Sequence, residues 1–494
     1  MNKKIINSAL ILPVAAALAV SCAEDGFSPE NWEPSVQDSQ LGNPTGITIS
    51  KTSTTDSTKT VVINWDVVHG AGGYLVTVTN ISDPAHPTDI VTDSLIDRCS
   101  IALELPNEET YNFGIRSAAN AKFGNKQAEE VSLTKFDTYV PSVEIPAGSE
   151  IASWLAENLV DSDVEQGIAL VAGAQYTLDT LADFRLNIVE FRGDRVNRPT
   201  IIVGEKGGFV TYGGLKLKYL NLDCTNATGQ NGIITMGSDT ELAAPLYKKY
   251  AENSNNTYYH AEKTIMVQGC VFKAVPNAFL HDGKTAWCVK DFNIKDSFIE
   301  LNPDDSKLGS SGYPFIDFDN GGITIKDITL ANTTLIDLKK SSAYFIRFSN
   351  GSNSSIQKAY GSAYTGTFSM DHCTLVRCTT GGQFGNNCWT SGSATTISWK
   401  SCIFYDTNLL QKLVRNLPFN FTNADNTIWA VTNTVDNTDK EKFATEEDPQ
   451  FAGGEISADV IDSYDFTKPN GGFDLKPTNG IAAEKQYGDP RWFE

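Results

Sequence analysis

Basic residues are scarce. Lys and Arg total 39 against 60 Asp and Glu, a formal net charge of −21 over 494 residues. A surface of that sign repels phosphate, which excludes nonspecific nucleic-acid binding as the main role and disfavours docking on anionic lipid. Histidine is scarce as well, with 5 scattered residues, and no Cys-x-x-Cys pair occurs, so no zinc-type ligand set is offered. Past the stretch Ile5–Val20 there is no run of about 18 apolar residues, so nothing else reads as a membrane-spanning helix. Against these absences stand 39 Gly, 25 Phe and 17 Tyr with only 4 Met, a turn-rich and β-rich composition.

Lys3 and Lys4 precede the apolar stretch Ile5–Val20, which closes in Leu18-Ala19-Val20-Ser21-Cys22. A charged start, a short apolar core and small residues before a cysteine resemble a bacterial lipoprotein signal. The resemblance implies cleavage after residue 21, acylation of Cys22 and a stable lipid anchor. Ala23-Glu24-Asp25 resembles the acidic export tag of Gram-negative surface lipoproteins. The expected location is the outer membrane, facing out, with residues 22–42 as acylated Cys and polar tether.

Residues 43–138 alternate like strands. Val61–Trp65 and Gly73–Val78 are two, and Thr110–Ala118 is a third in which Tyr111, Phe113 and Ile115 share one face. With Trp65 as a core plug and the Tyr111 hydroxyl expected to cap a loop, this segment resembles a fibronectin type III module. The resemblance implies a spacer β-sandwich.

Residues 143–494 repeat. Six segments, Leu215–Leu222, Ile265–Phe272, Phe292–Ile299, Ile328–Leu335, Phe368–Leu375 and Ile397–Phe404, carry apolar residues at positions one, three and eight. Position six holds Leu220, Cys270, Ser297, Thr333, Cys373 and Cys402. Alternation, a bend and another inward residue is the pattern of one coil of a parallel β-helix, whose coils bury their inward faces only by stacking. The cysteines of that column read as small buried side chains. Cys378 and Cys388 remain able to pair across a loop. Gly167–Tyr176 and Leu186–Asp194 fit opening coils, and the helical spacing of Ile151–Leu159 suits a cap on the open N-terminal end. The fold class expected is all-β: the sandwich, then a right-handed parallel β-helix with an N-terminal capping helix.

A further strand follows most repeats. Aligning Gly283, Gly321 and Gly351 gives two outward columns, Thr235, Phe279, Asp317, Arg347, Gln383 and Gly237, His281, Asp319, Ser349, Gly385. A turn column of Ser238, Asp282, Asn320, Asn350 and Asn386 reads as an Asn-type ladder. Such ladders are a feature of pectate-lyase-like helices. With the tail motifs Asp448-Pro449 and Gly488-Asp489-Pro490, the chain resembles surface lipoproteins of polysaccharide-utilisation systems.

That resemblance implies a glycan partner, and two chemistries compete for it. A uronate lyase needs carboxylate neutralisation, a base and leaving-group assistance. Asp317 and Asp319 are the candidates to hold Ca²⁺, Arg347 to neutralise a carboxylate, and His281 to act as base or acid. The simpler alternative is a cross-strand Asp317–Arg347 ion pair with His281 at a solvated rim. No polygalacturonase-type or pectate-lyase-type catalytic motif is present. The binding alternative rests on Tyr247, Lys248, Lys249 and Tyr250 with Tyr258 and Tyr259 in one insertion, and on Gln383 and Trp389. It needs no cofactor. The reading favoured by sequence is a lipid-anchored surface protein that holds an acidic, pectin-like glycan beside glycan transporters, not nucleic acid. A polysaccharide lyase is the second reading and an adhesion or structural surface protein the third.

Overall fold

Period-two alternation builds the first strands. In the computed structural model, Thr58–Asn64 and Tyr74–Asn80 bury every second side chain. Residues described are 36–53, 58–249, 256–309, 312–348, 356–381, 384–386, 388, 395–408, 420–421, 425–431, 444–456 and 462–494. The signal segment and Cys22 lie outside them. The chain divides into two compact units, Met1–Val140 and Pro141–Glu494.

The first unit holds two antiparallel sheets. One contains Thr48–Ser53, Thr58–Asn64 and Ser100–Pro106; the other contains Thr88–Ile96, Tyr74–Asn80, Thr110–Ser117 and Ser132–Asp137. Both give side chains to one core, in which Trp65 lies 5.5 Å from Tyr74 and 5.8 Å from Phe113, ring centre to ring centre. Tyr111, Phe113 and Ile115 are all buried. The Tyr111 hydroxyl does not cap a loop, however. It has no hydrogen-bond partner among the described residues, and burial pushes its pKa up to about 12. The ring stacks on Phe136 instead. Tyr74 does what was expected of Tyr111: its hydroxyl accepts the Val68 N–H at 2.9 Å.

The second unit is a stack of parallel strands, consistent with a β-helix. From Gln166 to Asn386, seven successive coils each place one strand in sheet I, one in sheet II and one in sheet III, then return to sheet I. The coil of Ile265–Gln268, Val271–Val275 and Ala278–His281 is representative. The six-segment frame is the observed register. Leu215, Ile265, Phe292, Ile328, Phe368 and Ile397 are successive partners, as are Leu222, Phe272, Ile299, Leu335, Leu375 and Phe404. All are buried in one continuous core. A helix, Ile151–Asn158, buries Ile151, Ala152 and Leu155 in the same core, and the Glu150 side chain accepts the Ser153 N–H at its start.

The column at position six has a chemical reason. The residue before it bends left-handed in every repeat: Tyr219, Gly269, Asp296, Asn332, His372 and Ser401 have φ between 48° and 62°. At Gly269 only glycine fits, because a Cβ would meet the Tyr219 ring at 2.5 Å. Except at Leu220, the next side chain then turns back and donates to the carbonyl two residues before it. Ser297 reaches Lys295 at 2.6 Å and Thr333 reaches Ala331 at 2.8 Å. Cys270, Cys373 and Cys402 do the same with weaker thiol bonds of 3.2 to 3.4 Å. These cysteines are turn donors as well as small fillers. Cys378 and Cys388, expected to be able to pair, are both free and buried, and each thiol makes the same backward bond.

Sheet II has an apolar outer face, and the C-terminal segment covers it. Val271, Phe298, Ile336, Val376, Ile403 and Tyr405 form a second cluster with Phe451, Tyr464, Leu475, Tyr487 and Trp492. Polar contacts pin the segment. Thr334 Oγ1 donates to Asp489 at 2.8 Å and accepts from Trp492 Nε1 at 3.0 Å, while buried Glu300 accepts from Ser463 and from the Tyr464 N–H.

Candidate functional site

Sheet III positions the charged residues; its register keeps Asp317 beside Arg347 but puts His281 where the glycine alignment put Phe279, and Asn386 where it put Gln383. His281 sits beside Asp317, Asp317 beside Arg347, and Arg347 beside Asn386. The column is therefore Thr235, His281, Asp317, Arg347 and Asn386. Aligned glycines misled because Gly283 follows His281 by two residues, whereas Gly321 follows Asp317 by four. Phe279 is not an outward residue. Its ring is buried in a stack with Phe315, Phe345 and Phe384, with centres 5.0, 4.9 and 4.5 Å apart. A bulge explains it: the N–H groups of Phe279 and Leu280 both donate to the Phe315 carbonyl, so consecutive side chains face the core. Asn386 falls beside Arg347 and not in an Asn ladder. Within the turns, Asp282 Oδ2 accepts the N–H groups of Asn320 and Gly322 at 2.8 and 2.7 Å.

The four residues proposed for lyase chemistry do come together, but they are engaged with their own surroundings. His281 is 1% exposed, not at a solvated rim. Its Nδ1 accepts the Gly283 N–H at 2.9 Å, and Nε2 lies 3.4 Å from the Asn320 side-chain nitrogen. Burial lowers its pKa, with Asp282 opposing, so the imidazole is neutral and its Nδ1 lone pair is used. Burial raises the Asp317 carboxyl to about 6, even though it accepts the Asp319 N–H at 3.1 Å. Asp319 is also raised by burial, and it, not Asp317, forms the ion pair with Arg347. The Arg347 guanidinium lies 5.8 Å from the Tyr344 ring centre, and its Nε has no hydrogen-bond partner among the described residues.

Calcium does not fit this donor set. It requires six to eight oxygen ligands. Here Arg347 already holds the Asp319 carboxylate, and burial raises the pKa of the other, Asp317, to about 6, so two carboxyls at most are offered. Among the described residues no group of three or more His, Cys, Asp or Glu side chains is placed to share a metal ion.

The aromatic insertion folds as a small hairpin. Tyr247–Lys248 pairs antiparallel with Tyr258–Ala261, and Tyr259 is the parallel partner of Trp287 at the edge of sheet I. A row of rings results. Tyr247 is 52% exposed and lies 4.8 Å from Tyr259, which lies 5.5 Å from buried Trp287. Trp287 is anchored by its Nε1–H to the Gly237 carbonyl at 2.8 Å. Lys249 is exposed, Lys248 is paired with Glu262, and Tyr258 packs partly buried on the core. Neighbouring His260 is buried, and desolvation with help from Lys248 pushes its pKa down to about 4. Tyr250, Gln383 and Trp389 lie outside the described residues.

Sequence reasoning missed a cleft at the corner of sheets II and III. Tyr313, Tyr344, Asn277, Asp337 and Ser341 line a small cavity of about 30 Å³. Tyr313 donates to Asn231 at 3.1 Å, and the Lys307 ammonium lies 4.8 Å from its ring centre. The available signal was a tyrosine two or three residues before two successive sheet III strands, Ile316–Phe318 and Ile346–Phe348.

Comparison with known proteins adds two matches. A domain of unknown function, DUF4992, matches residues 3–179, and another domain of unknown function, DUF4957, matches residues 174–338. No curated protein and no solved structure matches the chain. Among the described residues no helix is long and apolar enough to cross a membrane.

Proposed function

We propose that this protein binds an acidic, pectin-like glycan at a cell surface, and that the ring row ending in Tyr247 is its contact. The carrying observation is that half-exposed Tyr247 is braced through Tyr259 onto buried Trp287, next to exposed Lys249. A held ring loses little conformational freedom when a sugar face stacks on it. Lysine attracts uronate carboxylates against an acidic background. The second reading, a uronate lyase, draws on the neutral imidazole beside a carboxyl held near 6. Binding is favoured because Arg347 is already paired and His281 and Asp317 are nearly closed to solvent.

The wider reading rests on the same grounds. Two antiparallel sheets around Trp65 support a fibronectin type III-like spacer. A helix whose apolar face enters the coil core supports a cap on a right-handed β-helix. Lys3, Lys4 and the segment ending at Cys22 support a lipid anchor in a Gram-negative outer membrane, with glycan transporters as partners.

Affinity electrophoresis of the protein lacking residues 1–22 in polygalacturonate gels tests this. Retarded migration is expected, and Tyr247→Ala weakens binding about tenfold, the loss of one stacked ring at roughly 1.4 kcal/mol. Unsaturated products detected by ultraviolet absorbance and abolished by Arg347→Ala establish the lyase. Absence of retardation on every acidic glycan rejects binding in favour of an adhesion or structural role.

A further inference from the structure

The turn between the strands Ile188–Arg192 and Thr200–Val203 carries Arg195 and Arg198, and Arg198 differs from the other enclosed cations nearby. Buried Lys218 and half-buried Arg192 share Glu190, and Arg491 is paired with Asp489 at 2.6 Å. Arg198 is mostly buried and has no carboxylate partner among the described residues. Its Nε is enclosed without a hydrogen-bond partner among the described residues. The groups that act on it most, after desolvation, are Cys270, Arg491, Tyr464 and Tyr219. Only Arg491 is charged at neutral pH, and it is a second cation.

Arg198 lines a polar pocket with Arg195, Asn197, Asn221, Tyr464 and Phe466. Arg195 is oriented by Tyr219: it donates to the hydroxyl at 2.8 Å and its guanidinium lies 5.1 Å from the ring centre. The Asn221 side chain makes no hydrogen bond among the described residues. Tyr464 and Phe466 come from the C-terminal segment, which Glu300 holds in place. The acids nearby are occupied. Asp194 accepts the N–H groups of Val196 and Asn197, and Asp223 pairs with Lys273 at 3.1 Å. An enclosed guanidinium without a counter-charge is costly, and its planar fork suits a two-oxygen partner.

We propose that Arg198 and Arg195 form a binding site for an oxoanion: a carboxylate, sulfate or phosphate, free or carried on a sugar acid. It lies on a different corner of the coil from the tyrosine hairpin and does not depend on the glycan reading above.

The test titrates the protein lacking residues 1–22 with sodium sulfate, sodium phosphate or galacturonate at constant ionic strength, by calorimetry and thermal unfolding. At least one anion is expected to bind saturably and raise Tm. A response to galacturonate alone identifies the sugar acid, and a response to the inorganic anions identifies a free oxoanion. Arg198→Gln is expected to weaken binding at least tenfold and, without anion, to unfold no lower than the wild type, because it removes an uncompensated cation. Should that variant fail to fold, Arg195→Gln carries the same expectation of weaker binding. Tyr247→Ala keeps the full response. The proposal is overturned if none of the three anions binds saturably, or if the response survives Arg198→Gln or, where that variant does not fold, Arg195→Gln.

Discussion

Replacing Phe345 by Ala takes the third ring out of the column Phe279, Phe315, Phe345, Phe384. Phe345 is 1% exposed, with ring planes tilted only 15° from Phe315 and 20° from Phe384. Core Phe→Ala changes cost about 3–5 kcal/mol. Both faces of this ring lose a partner, and neighbours held by sheet hydrogen bonds collapse little into the gap, so about 4 kcal/mol is expected. Phe345→Leu keeps an apolar filler but loses both ring contacts, each worth about 0.5–1.5 kcal/mol, so about 1–3 kcal/mol is expected. Urea unfolding followed by tryptophan fluorescence measures both, with Trp399 5.3 Å from Phe384 as a local reporter. Stacked coils couple mainly to nearest neighbours. Hydrogen exchange should therefore quicken in residues 366–405 and hardly change in residues 166–223. If Phe345→Ala costs under about 1 kcal/mol, or no more than Phe345→Leu, the stacked column does not contribute as argued.

Two further outcomes follow from burial. The Asp337 carboxyl is raised from 3.8 to about 6 by burial, against the opposing Ser341 and Lys339 N–H groups, so the folded state favours the protonated form. Stability from this group is full below about pH 4 and is lost as pH rises through 6, up to about 3 kcal/mol; Asp337→Asn should flatten that part of the urea-stability profile, and identical profiles would refute the assignment. Of the eight described cysteines only Cys99 is partly exposed, so a thiol reagent should modify Cys99 in the native protein and the other seven only after unfolding; rapid native modification of Cys270 or Cys373 would contradict the buried column.

What could be read from the sequence was whatever repeats chemically. Inward apolar residues recur because each coil must bury the same face, which made the register of sheets I and II legible. The Ser, Thr and Cys column was legible as a pattern, although its reason, a side chain bonding back across a left-handed residue, was not. That bend accepts Tyr219, Asp296, Asn332 and His372 as well as Gly269, so no residue type announces it. Sheet III was misread because its turns vary in length, and one shortened turn moved His281 beside Asp317. The phenylalanine stack escaped because a bulge breaks the alternation on which strand reading depends. The Tyr111 hydroxyl was misassigned because identity and spacing say nothing of whether an acceptor lies within reach.

The segment 444–494 also carries a consequence for biogenesis. It is translated after the coils it shields, including those of Phe298, Thr334 and Thr374. A nascent chain therefore displays a greasy flank until that segment emerges. Loss of even the closing Asp489–Trp492 stretch should strand the protein in a sticky, chaperone-dependent form, although every coil of the stack has been synthesised.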